Sequence, residues 1–327
     1  MSPRYIAVVT AAAALFAFCM SSSAIAAEDP SLIEVPAAPE RGFHHGYVLF
    51  LPKPVDGGPP QHLLVEPNNT GRPDDDIAAH HAAAIALARD SSVGHFVAKR
   101  LGIPLLVPVF PRPSSIKDTY THSFDRDTIL IREGSLARID QQLIAMIEDA
   151  RRRLAALGRP VSTKILLNGF SASGLFANRF TFLHPSLVAA AAFGGLNGFI
   201  MVPAAEAAGH PLKFPLGLAD FQAIAGHPFD RDAYRHVAQF AYMGEKDTND
   251  AVLYEDAYSD DERAIIFEAF GRTMMPDRWN AVQDVYRQQK LPIEFKTYPG
   301  IGHGTNGGIN SEVAEFFRRA IEQPPKT

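Results

Sequence analysis

The sequence predicts an α/β fold with a mostly parallel central sheet that helices cover on both faces. Short apolar runs alternate along the chain with longer segments of helical periodicity. The apolar runs are nonpolar at consecutive positions, as is typical of strands that are buried on both faces, and the helical segments carry apolar residues three and four positions apart. With 327 residues the chain can form a large core, and we expect one domain over residues 27–327.

The strand candidates follow a Pro-rich lead at residues 30–39. Each is a short apolar run bounded by turn residues, as expected for a buried strand. They are residues 46–52, 62–67, 103–110, 163–170, 188–195, 237–244 and 293–299.

The helix candidates lie between these runs, and their periodicity predicts helices that pack on a sheet. Asp74 to Asp76 are typical of the start of the first helix, and Gly158 followed by Pro160 marks the end of the second. The candidates are residues 75–90, 135–158, a segment that begins at Ala172, 261–272 and 311–323.

Two segments do not follow this alternation, namely 111–135 and 197–235. The second combines several Pro and Gly residues with apolar side chains such as Phe199, Phe214 and Phe221. Long irregular segments in compact domains often form lids or pocket walls, so we predict a small cap insertion at 197–235. The alternative is an ordinary connection whose aromatic side chains complete the core.

The N-terminal residues predict export. Arg4 precedes the apolar run 6–18, which is followed by small residues at Ala24 and Ala26, the pattern of a cleaved secretory signal over residues 1–26. A membrane anchor is the alternative, but this run is shorter than the roughly 20 residues that span a bilayer. We therefore expect a secreted or periplasmic protein without a stable membrane anchor.

Composition excludes several classes of function. The formal net charge of -5, without a long Lys or Arg block, gives no footprint for nucleic acid or an anionic membrane surface. The single cysteine, Cys19, lies inside the expected signal. The mature chain should therefore contain no disulfide, no cysteine nucleophile and no thiolate metal site.

Residues 164–180, KILLNGFSASGLFANRF, pass abruptly from a strand pattern to a helix pattern. A strand that ends in Gly, any residue and Ser forces the serine into a tight, strained turn, which lifts its hydroxyl above the sheet. Gly169 makes room for this turn, and Ser173 is small enough for the second tight position. Ser171 is therefore the candidate nucleophile, whereas Ser173 should point away or cap the helix.

A serine nucleophile needs a histidine base and a carboxylate that orients the base. Asp247 follows the strand candidate 237–244, and His303 lies in a glycine-rich loop after the last strand, which gives the chain order Ser, Asp, His. Asp250 is the alternative acid, or it caps the following turn or lines the pocket. We expect Asp247 because it comes directly after the strand and its turn.

An oxyanion hole requires two backbone donors. The Ala172 N–H follows the nucleophile, and the second donor should come from Asn69 or Thr70, after the strand candidate 62–67. Asn68 also matches a glycosylation acceptor, but a glycan here would obstruct the site, so we interpret the match as coincidence.

The motifs at 122–127, HSFDRD, and 227–232, HPFDRD, nearly repeat each other. Their flanking residues are dissimilar, and no other His spacing supports a metal site. We interpret both as local turn chemistry.

The chain resembles the α/β-hydrolase superfamily through the motifs GFSASG, MGEKD and GIGHG, each at the end of a predicted strand, and the resemblance extends from about His44 to Ile321. Within the superfamily it is similar to exported esterases related to dienelactone hydrolases and polyhydroxyalkanoate depolymerases. It departs from the family pattern at Ser173, where glycine is usual, and the oxyanion loop lacks the usual His-Gly pair.

The resemblance implies hydrolysis of a carboxylic ester, small or polymer-derived, through a Ser171, His303 and Asp247 triad and an acyl-enzyme intermediate. Ala172 and Asn69 would stabilise the oxyanion, and no metal or organic cofactor would be required. A serine peptidase or amidase, or a non-catalytic binding protein on the same scaffold, are the alternatives. The oligomeric state is left open.

Overall fold

The computed structural model describes residues 31–55, 57, 58 and 61–323. The expected signal sequence, with Cys19, lies outside the described residues.

Ten strands form the sheets of the described chain, and eight of them belong to the central sheet. All seven predicted strands are present, although most are shorter than the apolar runs that predict them. The strands are β1 Leu32–Val35, β2 Tyr47–Phe50, β3 Leu64–Val65, β4 Leu105–Pro108, β5 Ile165–Phe170, β6 Val188–Gly194, β7 Glu206–Ala207, β8 His210–Pro211, β9 Ala238–Gly244 and β10 Glu294–Tyr298.

The central sheet has the strand order β1-β2-β4-β3-β5-β6-β9-β10. β2 pairs antiparallel with β1 and with β4, and every other neighbouring pair is parallel. The predicted mostly parallel sheet is therefore confirmed. The carboxyl ends of β3, β5, β9 and β10 meet at the same edge, because these strands run in one direction.

Helices occupy the connections between the parallel strands. The first predicted helix continues beyond α1 into a π-helical turn at Leu87–Ser91 and is followed by a separate α2. The α-helices are α1 Ile77–Ala86, α2 Val93–Leu101, α3 Arg126–Leu130, α4 Ile139–Ala156, α5 Ala172–Leu183, α6 Phe221–Ala225, α7 Arg231–Arg235, α8 Asp260–Phe270, α9 Trp279–Gln288 and α10 Gly307–Glu322.

The two faces of the sheet carry two separate hydrophobic cores. Side chains alternate between them along each strand, so that Leu167 of β5 lies in one core and Leu166 lies in the other. Met146 of α4 packs in the first core, while Val97 of α2 and Phe317 of α10 pack in the second. Helices thus cover both faces, as predicted. Within the described part of the chain, no helix combines the length and the apolar character that crossing a bilayer requires.

Residues 197–235 contain the small β7–β8 hairpin and the short helices α6 and α7. Phe199, Phe214 and Phe221 are buried and belong to the first hydrophobic core. This packing agrees with the interpretation of the segment as a connection that completes the core. Whether the segment also acts as a cap remains a prediction.

The two HxFDRD motifs both begin helices. Asp125 Oδ1 accepts a hydrogen bond from the Thr128 N–H at 3.1 Å, and Asp230 Oδ1 accepts one from the Ala233 N–H at 2.8 Å. Each aspartate is thus a helix N-cap, which is the local turn chemistry that the sequence predicts. Among the described residues, no group of three or more His, Cys, Asp or Glu side chains is arranged to hold a metal ion.

Candidate active site

The elbow, residues 169–173, joins the end of β5 to the start of α5. Ser171 has φ 63° and ψ -129°, a conformation that is strained for a residue with a side chain. A Cβ at Gly169 would lie 2.1 Å from the backbone oxygen of Ser173, so only glycine permits this close turn. The strand-to-helix geometry that the sequence predicts is therefore present.

Ser173 completes the elbow through its hydroxyl. Its Oγ donates a hydrogen bond to the Phe170 backbone oxygen at 2.9 Å and accepts one from the Phe170 N–H at 3.0 Å. Both contacts lie within the turn, so the Ser173 hydroxyl is directed at the backbone. The structure thus distinguishes the two serines: Ser173 bonds the turn itself, while Ser171 faces His303.

The structure brings Ser171, His303 and Asp247 together. His303 Nε2 lies 3.0 Å from Ser171 Oγ, and His303 Nδ1 lies 2.9 Å from Asp247 Oδ2. The Asp247 side chain is fully buried, whereas 27% of the His303 side chain is exposed. A buried carboxylate at Nδ1 favours the tautomer with its proton on Nδ1, which leaves Nε2 free to accept the serine proton.

Backbone hydrogen bonds hold the loop after β9 against the loop after β10. Lys246 N–H donates to the Ile301 oxygen at 2.8 Å, and Glu245 N–H donates to the Tyr298 oxygen at 3.0 Å. A Cβ at Gly244 would lie 2.3 Å from the Gly302 oxygen, so glycine allows this approach. These contacts bring Asp247 and His303 to adjacent positions.

Asp250 does not share the position of Asp247. Its Oδ1 accepts a hydrogen bond from the Val252 N–H at 3.1 Å, and its Oδ2 forms an ion pair with the buried guanidinium of Arg278. Asp250 therefore caps the following turn, as one alternative in the sequence analysis predicts. It also neutralises Arg278, a contact that was not predicted.

Asn249 also contacts the imidazole, and sequence reasoning missed it. Its Nδ2 lies 3.0 Å from His303 Nε2, and its Oδ1 accepts a hydrogen bond from Tyr254 Oη at 3.0 Å. Its backbone N–H donates to Asp247 Oδ1 at 3.0 Å. The available signal was the sequence Asp-Thr-Asn itself, because an aspartate commonly hydrogen-bonds the N–H two residues later.

A cavity of about 680 Å³ opens beside Ser171. It mixes apolar and polar side chains, and none of its lining residues in the described chain comes from 197–235. Its lining includes Glu66, Asn69, Phe96, Phe170, Ser173 and Thr305.

Of the predicted oxyanion donors, Asn69 lines this cavity, and Ala172 directly follows Ser171, which also lines it. The Ala172 N–H belongs to the first residue of α5, and the N–H groups of the first helical turn have no acceptor within their own helix. Asn69 lines the cavity, whereas the Thr70 hydroxyl donates to the Arg72 oxygen at 2.8 Å. The assignment of Asn69 as second donor remains a prediction.

Asn68 holds this loop in place. Its side chain is buried, with Nδ2 donating to the Phe110 oxygen at 2.8 Å and Oδ1 accepting from the Phe110 N–H at 3.0 Å. A buried amide with both groups bonded is a poor glycan acceptor, so the structure agrees with the interpretation of the motif as coincidence.

Glu66 is a buried carboxyl group in the wall of the cavity. Burial raises its pKa to about 7, although a hydrogen bond from Ser92 Oγ at 2.7 Å favours the charged form. A Cβ at Gly94 would lie 1.9 Å from Glu66 Oε2, so α2 approaches the carboxyl closely. No pattern in the sequence pointed to this group beyond its position after β3.

Comparison with solved structures identifies the fold. No protein-family model matches the chain, and no curated protein matches it. Among solved structures, poly(aspartic acid) hydrolase-1 from Sphingomonas sp. KT-1 is 15% identical, with a TM-score of 0.56 over 90% of this chain and 99% of that chain. The chain therefore has the α/β-hydrolase fold, as the sequence motifs predict.

Two further solved structures are similar at lower scores. Poly(3-hydroxybutyrate) depolymerase from Bordetella parapertussis is 17% identical, with a TM-score of 0.49 over 90% of each chain. S-formylglutathione hydrolase from Staphylococcus aureus is 12% identical, with a TM-score of 0.46 over 89% of this chain and 96% of that chain.

Proposed function

We propose that this protein is a serine hydrolase that cleaves carboxylic esters through Ser171, His303 and Asp247. The observation that carries the proposal is the pair of hydrogen-bond distances at His303, 3.0 Å to Ser171 Oγ and 2.9 Å to Asp247 Oδ2. These three side chains come from three separate loops at one edge of the sheet. Such convergence at a strained serine is the arrangement that activates a hydroxyl nucleophile.

The proposed reaction has two halves. In the first, Ser171 Oγ attacks the ester carbonyl while His303 Nε2 takes its proton, and Asp247 stabilises the resulting imidazolium. The oxyanion faces the Ala172 N–H at the start of α5, with Asn69 as the second donor. His303 then protonates the departing alcohol, which leaves an acyl group on Ser171.

In the second half, His303 removes a proton from water as the water oxygen attacks the acyl carbonyl. The same donors stabilise the second oxyanion, and the proton returns to Ser171 Oγ as the carboxylic acid departs. The chain's own residues supply the nucleophile, the base and the oxyanion donors in both halves.

The cavity supports an ester with an apolar portion. Phe96, Phe170 and Leu87 line it together with polar groups, so it can accept a carbon chain or ring beside the reacting carbonyl. The similar structure with the higher TM-score carries the name of a polymer hydrolase. The linkages of poly(aspartic acid) are amides, so this name supports amide hydrolysis as the second candidate, which the same three residues can serve. Polymer-derived esters stay among the proposed substrates because of the sequence resemblance alone.

The proposed location is outside the cytoplasm, on the basis of the N-terminal sequence. Mass spectrometry of the protein secreted by an expression host should find a chain that begins near Ala27, after removal of residues 1–26. An intact N-terminus on the exported protein would contradict the proposal.

The test of the catalytic proposal combines labelling with turnover. A fluorophosphonate should label the wild-type protein at Ser171, and Ser171→Ala should lose both the label and the hydrolysis of short p-nitrophenyl esters, by about 10⁴-fold or more. Ser173→Ala is the matched control, which should keep the label. An unlabelled wild-type protein would favour the non-catalytic alternative, and label on Ser173 would mean that the wrong serine is assigned.

A panel of esters and amides with increasing acyl length then separates the two candidate activities. We expect measurable turnover of esters with a preference set by the cavity, and slower turnover of matched amides. Faster amide turnover would replace the esterase proposal with the amidase alternative.

A further inference from the structure

The imidazole of His303 has a polar neighbour at each ring nitrogen. Asp247 Oδ2 lies 2.9 Å from Nδ1, and Nε2 has two neighbours at 3.0 Å, Ser171 Oγ and Asn249 Nδ2. Asp247 and Asn249 come from one turn, in which the Asn249 N–H donates to Asp247 Oδ1 at 3.0 Å. A spacing of two residues thus places a carboxylate and an amide on opposite sides of the ring.

The imidazole is only partly enclosed by its neighbours. The ring of Phe170 lies 5.2 Å away between centroids, and Ser171 Oγ meets Nε2. His303 lies between Gly302 and Gly304 in a loop, and 27% of its side chain is exposed. One hydrogen bond at Nδ1 would allow the ring to rotate away from Ser171, and small displacements of a base are costly to catalysis. A donor at Nε2, on the side of the ring that faces Ser171, restricts this rotation.

The amide is itself oriented by a neighbour. Tyr254 Oη donates a hydrogen bond to Asn249 Oδ1 at 3.0 Å, which directs Nδ2 towards the imidazole. Tyr254 is partly exposed, so its hydroxyl is free to exchange its role with solvent.

We propose that Asn249, oriented by Tyr254, is a positioning residue that holds the imidazole of His303 in line with Ser171. The proposal rests on the proposed function, because the position of the ring affects the reaction only if His303 is the base. It adds two residues, one of which acts through the other, to the three of the relay.

Asn249, oriented by Tyr254, can hydrogen-bond His303 both before and after Nε2 takes up the proton. When the proton moves from Ser171 Oγ to His303 Nε2, an O–H bond breaks and an N–H bond forms, so Nε2 changes from acceptor to donor. If the Asn249 amide turns over at this stage, Oδ1 faces Nε2–H and Nδ2 donates to Tyr254 Oη, until His303 passes the proton to the departing alcohol. A phenol hydroxyl both donates and accepts, so Tyr254 satisfies either orientation of the amide.

The kinetic test uses Asn249→Leu, Tyr254→Phe and the double variant. Asn249→Leu keeps the size of the side chain and removes the amide, and we expect kcat for a p-nitrophenyl ester to fall about tenfold with little change in KM. Tyr254→Phe should lose a few-fold. The double variant should lose no more than Asn249→Leu, since Tyr254 acts through Asn249. Additive losses, or activity of Asn249→Leu within about twofold of wild type, would overturn the proposal.

Leu253→Ala is the matched control in the same loop. Leu253 is exposed and adjacent in sequence to Tyr254, so this variant tests whether any change in the loop lowers kcat. We expect wild-type kinetics. A tenfold loss in this variant would show that the loop as a whole, rather than the amide, supports the reaction.

A spectroscopic test does not depend on turnover. In ¹⁵N-histidine-labelled Ser171→Ala, the hydroxyl is absent and Asn249 is the remaining donor to Nε2. Adding Asn249→Leu should move the Nε2 resonance downfield, towards the position of an unbonded imine nitrogen, and His303→Gln assigns the signal. An unchanged resonance would overturn the proposal. Failure of wild-type labelling and turnover would instead refute the proposed function, while this comparison still decides the contact.

Discussion

At the scale of single residues, the two aspartates of the loop after β9 show how contacts separate similar side chains. Asp247 is fully buried and contacts His303, while Asp250, three positions later, pairs with Arg278. The same chemical group thus contacts the imidazole of His303 in one place and stabilises a turn in the other.

This difference predicts opposite results for two conservative variants. Asp247→Asn should lower kcat/KM about 10⁴-fold, because an amide can no longer hold the required tautomer of His303. Asp250→Asn should keep kcat/KM within a few-fold and lower the free energy of unfolding by about 3 kcal/mol, because Arg278 loses its charged partner. Ester kinetics and urea unfolding of both variants measure this, and the reverse ranking would mean that Asp250 is the acid.

The proximity of three side chains could be predicted from sequence because each lies in the loop or turn that follows a strand. Ser171, Asp247 and His303 needed only the chain order and the sheet edge to be placed together. Asn249 and Glu66 could not be predicted in this way, because their contacts depend on loop geometry and on how closely α2 approaches the sheet. Polar residues of this kind carry no periodic signal.

At the scale of elements, strand positions were easier to predict than strand partners. β1 lies within the segment interpreted as a Pro-rich lead, and its four residues alternate too little to stand out. It is a strand because it pairs antiparallel with β2, a partner whose register the sequence does not display. The antiparallel direction of β2 was likewise not predicted, since both faces of that strand are buried.

The close packing at the elbow predicts that replacing Gly169 lowers both stability and activity. Gly169→Ala places a methyl group 2.1 Å from the Ser173 backbone oxygen, so strand and helix must separate. We expect a loss of about 3 kcal/mol in the free energy of unfolding and a large loss of ester turnover. Gly307→Ala is the control, because a Cβ there meets nothing within 4 Å at the start of α10. Wild-type stability and activity of Gly169→Ala would contradict the elbow geometry.

At the scale of the whole molecule, Glu66 should make the free energy of unfolding depend on pH. Its pKa is raised from 4.5 to about 7 by burial. Because the pKa of Glu66 is higher in the folded protein than in the unfolded chain, folding favours the neutral carboxyl. This contribution to stability is fully present below pH 4.5 and is lost as pH rises through about 7. The loss approaches about 3 kcal/mol for a shift of this size.

Glu66→Gln should remove this dependence. The variant should have about the stability of wild type near pH 5 and should exceed it near pH 8, since glutamine needs no ionisation. Urea unfolding of both proteins across this range gives the difference, with the exposed Glu133→Gln as control. A difference that stays constant with pH would show that Glu66 is not neutral in the folded protein.

Because β10 lies at the end of the sheet, unfolding can displace His303 without displacing Ser171. β10 has one neighbour in the sheet, β9, whereas β5 is enclosed by β3 and β6. Outer strands detach more readily than central ones, and detachment of β10 would withdraw His303 while the serine turn stays formed. Mild denaturant should therefore silence ester turnover before the far-ultraviolet circular dichroism changes, and coincident midpoints would contradict this. Catalytic activity would then be lost at a lower denaturant concentration than the secondary structure, and it would return only after β10 has rejoined the sheet.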